Sequence, residues 1–194
     1  MDGGSRDGTS QVARFLKADK LIASPPGRAR QLDAGYRAAT GEVVLFLHAD
    51  TRLEPGWSDS VRRALERPRV AGGAFRQRFD SERWGYRVLE FGTRLRSRGG
   101  LPCGDQALFV RRHLLDARGG IPDTPIFEDL DLARWIRDYG KLALCRQRAV
   151  TSPRRYEANG LVRGLGRKFV ALFGYLVDFD RERVARWYHR KPRE

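Results

Sequence analysis

Val43-Val44-Leu45-Phe46-Leu47-His48-Ala49-Asp50-Thr51 is the stretch on which the reading of this chain turns. Five apolar residues in a row are far too few for a membrane span and suit a strand covered on both faces of a sheet. The run stops at His48, Ala49 and Asp50, and Thr51 leads into a polar loop that reaches Pro55. In open α/β sheets ligands gather beyond the carboxyl ends of the strands. A carboxylate two residues after an imidazole, at such an edge, is placed to hold a divalent cation. A plainer role stands beside it: Asp50 caps the helix starting near Pro55, or closes a turn.

Around that stretch the bulk properties narrow the class. A chain of 194 residues is one domain long enough to bury a core, and 41% hydrophobic content with 10% aromatics argues against disorder. Lys+Arg 38 against Asp+Glu 24 leaves +14, so nucleotides, lipid head groups or nucleic acid are the expected partners. Lysine stands only at Lys17, Lys20, Lys141, Lys168 and Lys191, so the charge is mostly arginine. Arginine binds phosphate in bidentate fashion, although a GC-rich genome gives the same bias. Cys103 and Cys145 have neither metal-ligand spacing nor a disulfide framework around them. Two isolated thiols and the lack of a secretory signal point to a cytoplasmic protein, soluble or peripheral to the inner face of the membrane.

The chain opens on the glycine-acid loop Asp2-Gly3-Gly4-Ser5-Arg6-Asp7-Gly8-Thr9, in which Thr9 and Ser10 are candidate caps for a helix over 11–16. Such a loop ordinarily hangs from the end of a strand. A short strand over 20–23 and a proline turn lead to a helix over 28–40, ended by Gly41. Arg28 and Arg30 lie in its first turn, where the helix dipole disfavours cations unless an anion binds there. An amphipathic helix over 55–67 follows, then a strand over 70–79 whose Phe75, Gln77 and Phe79 alternate with arginines. A helix over 83–98 carries Trp84, Val88, Phe91 and Leu95 on one side, which reads as core.

Gly104-Asp105-Gln106 precedes a strand over 107–110, and Glu128-Asp129 opens a helix that ends at Gly140. Glu128, Asp129 and Asp131 crowd its first turn. Dipole capping explains one or two acids; three after a glycine- and proline-rich loop also fit a catalytic carboxylate with a charged neighbour. Two short strands, 142–144 and 149–151, precede a basic amphipathic helix with Leu161, Leu165, Phe169, Leu172, Phe173 and Leu176 on one face. Arg163, Arg167 and Lys168 take the other face. This helix, within 161–177, packs on the domain or lies on an anionic membrane surface, and a last basic helix runs over 181–189.

Each polar motif sits where a strand stops, and strands alternate with helices, so an α/β class with a largely parallel sheet and one shared site is expected. In its ordered motifs the sequence resembles family 2 glycosyltransferases of the GT-A fold, in a bacterial subgroup reading DGGSRDGT, GRARQ, FLHADT, GDQ, EDxD and TSxRR. Here these are residues 2–9, 27–31, 46–51, 104–106, 128–131 and 151–155. The resemblance implies a Rossmann-like, mostly parallel sheet flanked by helices, lacking the first βα unit that such enzymes place before the glycine-acid loop. It implies a catalytic domain over 1–156 and basic amphipathic helices over 157–194. It also implies a fragment, a start assigned too late, or a form that completes its sheet through another chain, as a homo-oligomer would.

By the same resemblance a nucleotide-diphosphate sugar would lie against Asp2, Gly3, Gly4, Ser5 and Asp7, with Arg28 and Arg30 near its nucleotide or diphosphate and His48 and Ala49 also in contact with the donor. Asp50 would ligate Mg²⁺ or Mn²⁺, and His48, in place of a first aspartate, would join it or contact the ribose or a water. Imidazole suits Mn²⁺ better. Asp129 would be the general base with Glu128 beside it, and Gly104, Asp105 and Gln106 would face the sugar or acceptor. The implied reaction is an inverting transfer to a hydroxyl acceptor. Two other classes remain: a truncated member acting as a binding or membrane-peripheral protein, and a basic nucleic-acid-binding module, for which the chain holds no recognisable motif.

Overall fold

A computed structural model describes residues 1–190. The elements run α1 (Thr9–Phe15), α2 (Arg28–Ala38), β1 (Val43–Leu45), β2 (Thr51–Leu53), α3 (Trp57–Leu65), β3 (Val70–Phe79) and α4 (Trp84–Arg98). They continue as β4 (Phe109–Arg111), α5 (Arg112–Arg118), α6 (Glu128–Tyr139), β5 (Lys141–Thr151), α7 (Arg154–Asn159), α8 (Leu161–Leu176) and α9 (Arg181–His189). The α/β class is as expected. Among the described residues the strands form one five-stranded sheet in the order β1-β4-β3-β5-β2.

The largely parallel sheet expected from the sequence is corrected to a mixed one. Only β3 and β5 run parallel, while β1–β4, β3–β4 and β2–β5 are antiparallel. Buried strands read as apolar runs whichever way a neighbour points, and β4 enters between β1 and β3 in reverse, so both its ladders turn antiparallel. The strand expected over 20–23 is a single parallel bridge between Asp2 and Ala23. The two short strands expected around 142–151 are one continuous β5.

β1 is also less enclosed than its apolar run suggests, because it is the edge strand of this sheet. Val44 and Phe46 are buried, Val43 and Leu45 half-buried, and Leu47 exposed. Along β4 and the two residues before it, alternation sends Leu108 and Val110 into the core under α2, α5 and α6, and Ala107 and Phe109 into the core under α3. Gly73 lets β3 lie close to both neighbours: a Cβ there would stand 2.5 Å from Cζ of Phe109 and run into the Ala143 carbonyl.

The C-terminal helices pack on the domain through buried Ala171, Tyr175 and Ala185. The Asp131 carboxylate ties them down, accepting from the Tyr175 hydroxyl at 2.9 Å and from both terminal nitrogens of Arg181 at 2.5 and 3.1 Å. Two expectations fail here. Trp84, Val88, Phe91 and Leu95 are exposed rather than core, because α4 rests on the sheet through the side that carries Tyr86 and Ser97. Lys168 leaves the solvent face assigned to it and turns inward to Asp105. Leu161, Arg163 and Lys191 lie outside the described side chains.

Candidate active site

The site is built from three chain segments that meet at Gly104. The turn after Phe46 brings His48 in, the first turn of α2 brings Arg28, and the start of α6 brings Glu128 and Asp129. A Cβ on Gly104 would stand 2.9 Å from both Asp129 Oδ2 and His48 Nε2 and would collide with Arg28 Nη2. Glycine lets the three side chains close on one backbone position as they stand. Its N–H donates to Asp129 Oδ2 at 2.5 Å, and the Leu130 N–H donates to Oδ1 at 2.8 Å. Two backbone donors thereby fix a buried carboxylate.

Arg28 links the acids to the imidazole. Its Nε lies 2.6 Å from Glu128 Oε1 and its Nη2 is 3.7 Å from Asp129 Oδ2. The same Nη2 contacts His48 Nε2, while His48 Nδ1 lies 3.2 Å from Asp105 Oδ1. Both ring nitrogens of His48 are therefore engaged by protein. Burial would lower the Arg28 pKa, but Glu128, Asp129 and Asp105 hold it above its ordinary value. Glu128 shifts upward, through burial and through repulsion by Asp129, against the pull of Arg28.

Backbone strain collects beside these groups. Phe127, immediately before α6, and Ala107, immediately after the Gly104–Gln106 turn, adopt left-handed φ values of 64° and 50°. Non-glycine residues held there cost of order 1–3 kcal/mol each and persist where the surroundings over-determine them. The Phe127 ring is held against Tyr175, with centroids 5.2 Å apart.

Glu128, Asp129, Arg28 and Asp105 line one end of a cavity of about 710 Å³ whose walls come from α4, α8 and the loop before α6. Lys168 enters from α8 and places Nζ 3.3 Å from Asp105 Oδ2. Burial would raise the Asp105 pKa, yet Lys168 and His48 hold it well below the carboxylate range. Cys103, also in the wall, is pushed up to about 12 by burial and by the charge of Asp129.

The remaining expected residues make their own contacts. Asp2 accepts from Ser5 N–H at 2.9 Å and from the Ser10 hydroxyl at 2.6 Å, which brings its pKa down to about 2. Asp7 accepts from the Thr9 hydroxyl at 2.6 Å, so the glycine-acid loop is tied to itself. Gly3 packs against Gln31 of α2, while Gly4 and Ser5 continue the loop, both exposed. Arg30 pairs with Asp123 at 2.7 Å on the surface, away from Arg28's partners. Ala49 and Asp50 are exposed, and the Asp50 carbonyl accepts from Ser152 N–H at 3.0 Å, joining the two motifs that contain them.

Gln106 is fully buried. Its Oε1 accepts from Ser97 Oγ at 2.8 Å and Cys103 N–H at 3.1 Å, and its Nε2 donates to the Phe75 carbonyl at 2.9 Å. Its side chain therefore holds the loop rather than facing the cavity. Lys168 and Arg96 are charged lining residues that sequence reasoning did not assign to the site. For Lys168 a signal existed: it stands three residues after Leu165 and four before Leu172, on the apolar side of α8.

A mixed sheet with its polar residues gathered at strand ends is the GT-A architecture. The chain covers 88% of its length on the mannosyltransferase PcManGT from Pyrobaculum calidifontis, solved with GDP-Man and Mn²⁺, at TM-score 0.59 and 17% identity, spanning 50% of that protein. It covers 92% of its length on glucosyl-3-phosphoglycerate synthase from Mycobacterium tuberculosis, solved with Mn²⁺ and UDP-glucose, at TM-score 0.57 and 17% identity, spanning 67% of that chain. The family model "Glycosyl transferase family 2" matches residues 1–117, and the chain belongs to that family. A curated relative, the uncharacterized protein MT1568 of Mycobacterium tuberculosis (strain CDC 1551 / Oshkosh), is 28% identical over 181 residues. That match takes in 81% of this chain and 56% of the relative, so the chain spans about half the length of that relative.

Proposed function

We propose that this chain transfers a glycosyl group from a nucleotide-diphosphate sugar to a hydroxyl acceptor with inversion, and that Asp129 is the general base. The observation that carries the reading is a buried carboxylate, fixed by two backbone N–H groups, at the end of a cavity large enough for an acceptor. Each carboxylate oxygen keeps a second lone pair and can accept the proton of a hydroxyl within reach. The acceptor oxygen attacks the anomeric carbon from the face opposite the diphosphate. The bond from that carbon to the diphosphate oxygen breaks and its electron pair leaves with the diphosphate, while the hydroxyl proton passes to Asp129. A single displacement inverts the carbon.

Arg28 is the cation positioned to face the growing negative charge of the leaving group, with Glu128 and His48 orienting it. The glycine-acid loop from Asp2, beside the start of α2, is the nucleotide side in this reading, and Asp105 faces the acceptor side. The GT-A relatives named above were solved with Mn²⁺, and a divalent cation, Mn²⁺ or Mg²⁺, fits Asp50. Its carboxylate is exposed, and such cations are held by one or two carboxylates together with substrate phosphates. Among the described residues no third acid, His or Cys completes an all-protein site, which agrees with a shared one. His48 has no ring nitrogen left for the metal, so its role here is to hold Arg28. When bound, the cation supplies charge neutralisation at the diphosphate.

The test is Asp129→Asn with a panel of UDP-, GDP- and dTDP-sugars plus Mn²⁺. Thermal shift should report donor binding in both proteins, and transfer should vanish only in the variant. Turnover retained by Asp129→Asn removes the residue from this role.

A further inference from the structure

The cavity does not end at the catalytic groups. Its far wall is apolar, formed by Val88, Leu89 and Gly92 of α4 opposite Leu165, Phe169 and Leu172 of α8. Val88 and Phe169 are 56% and 72% exposed. They belong to the lining and to the outer surface at once, so the apolar wall runs without a break onto the outside of the molecule.

Outside, each helix carries a stripe that nothing covers among the described residues. On α4 the spacing 84, 88, 91, 95 aligns Trp84, Val88, Phe91 and Leu95 on one side, with Phe91 69% exposed. On α8, Phe169, Phe173 and Leu176 do the same, with Phe173 58% exposed. Singly exposed hydrophobic residues are ordinary, whereas two stripes flanking one cavity mouth mark an interaction surface.

Charge identifies what lies against it. Arg94 and Arg98 border the α4 stripe, close to Arg76, Arg146 and Arg148. Burial and those four neighbouring cations hold the Arg76 guanidinium below its ordinary pKa. Aromatic and aliphatic side chains beside a cluster of arginines match the apolar boundary and anionic head groups of a lipid surface. Arg96 and Lys168 line the same cavity as the apolar wall and Asp129.

We infer that the face formed by α4 and α8 docks on an anionic lipid bilayer, and that the acceptor is an amphiphile of that bilayer whose aliphatic chain lies along the apolar wall. Its head group reaches inward past Arg96 and Lys168. There the head-group oxygen forms the new bond to the anomeric carbon as the diphosphate leaves with the electron pair, and its proton goes to Asp129. The acceptor assignment rests on the transferase reading; the docking surface does not.

The docking test is sedimentation of the full chain with vesicles of phosphatidylcholine alone and of phosphatidylcholine mixed with phosphatidylglycerol. The chain should partition onto the anionic vesicles and lose affinity as salt is raised. The double variant Phe91→Asp, Phe173→Asp should bind them at least about tenfold more weakly. Both side chains are exposed, so its unfolding midpoint should match the wild type. Absence of binding to anionic vesicles, or equal binding by a folded double variant, overturns the docking surface.

The acceptor class is tested by calorimetric titration with monomeric dodecyl phosphate, an alkyl chain with an anionic head. A Cβ added at Gly92 meets nothing within 4 Å, so Gly92→Trp can fill the apolar wall without a backbone clash. It should weaken dodecyl phosphate binding about tenfold while leaving vesicle binding intact. Equal affinity in the two proteins, or none in the wild type, overturns the amphiphile assignment. Binding of nucleotide-sugar with Mn²⁺, measured in parallel, separates the readings: its loss with vesicle binding retained removes the transferase reading and leaves the docking face standing.

Discussion

Lys168 and Asp105 meet in the cavity wall, Nζ to Oδ2 at 3.3 Å, and join the C-terminal helices to the loop between α4 and β4. Both groups are partly buried, so the pair stands between an exposed ion pair, with its near-zero net worth, and an enclosed one. Lys168→Met should cost about 2 kcal/mol in urea unfolding. The pH dependence has a definite sign. Lys168 and His48 lower the Asp105 pKa despite burial, so its contribution is present above the carboxylate range and lost as pH falls through the folded-state value. Asp105 and Tyr156 raise Lys168 despite burial, so its contribution is present below the lysine range and lost as pH rises through the folded-state value. The stability difference between wild type and variant should be largest between about pH 5 and pH 10 and shrink on either side. A constant difference across that range and beyond it removes the pair from the account.

Gly104 gives the sharpest geometric prediction. The methyl group of Gly104→Ala would occupy the space between Asp129, His48 and Arg28. Side chains can retreat by an ångström without unfolding the domain, but such displacements cost about a hundredfold in rate. Transfer assays should show kcat reduced about a hundredfold with nearly unchanged circular dichroism and unfolding midpoint. Wild-type kcat in this variant means that the three side chains are not required where they stand.

The sequence disclosed those elements whose residues announce themselves locally. The two-residue alternation gave β3 at its observed bounds, and the acids before Leu130 and Leu132 gave the start of α6. Strand direction was not legible, since β4 reads the same beside a parallel or an antiparallel neighbour. The convergence of His48, Arg28 and Asp129 on Gly104 was legible only as an order of motifs; the distances needed coordinates. The exposed stripe of Trp84, Phe91 and Leu95 was misread because helical periodicity says that a face is apolar and not what covers it. Of the three acids in the first turn of α6, spacing gave no division of labour, whereas contacts send Glu128 to Arg28, Asp129 to Gly104 and Asp131 to the tail.

Gln106 illustrates a motif residue whose position is structural. Gln106→Leu would strand the Cys103 N–H and remove the amide donor from the Phe75 carbonyl, while the Ser97 hydroxyl keeps the Thr93 carbonyl at 2.7 Å. Buried groups left unpaired cost about 1–3 kcal/mol each, so a loss of about 2 kcal/mol or more is expected in denaturant unfolding. At a temperature where the variant remains folded, KM for the acceptor should move little. A large KM effect with unchanged stability would instead put the amide in contact with substrate.

Asp50 and His48 differ in what they have left to offer a cation. The Asp50 carboxylate is exposed, while both nitrogens of His48 are engaged, one by Arg28 and one by Asp105. Thermal stabilisation by a nucleoside diphosphate should therefore depend on Mn²⁺ in the wild type and fall on chelation. It should lose its metal dependence in Asp50→Ala, because ligand stabilisation scales with the logarithm of ligand concentration over Kd. His48→Gln should keep the Mn²⁺ response and lower kcat instead, since an amide still reaches Arg28 but with altered geometry. The opposite pattern, with metal dependence abolished in His48→Gln and retained in Asp50→Ala, would mean that the imidazole releases Arg28 to take the cation when the donor arrives.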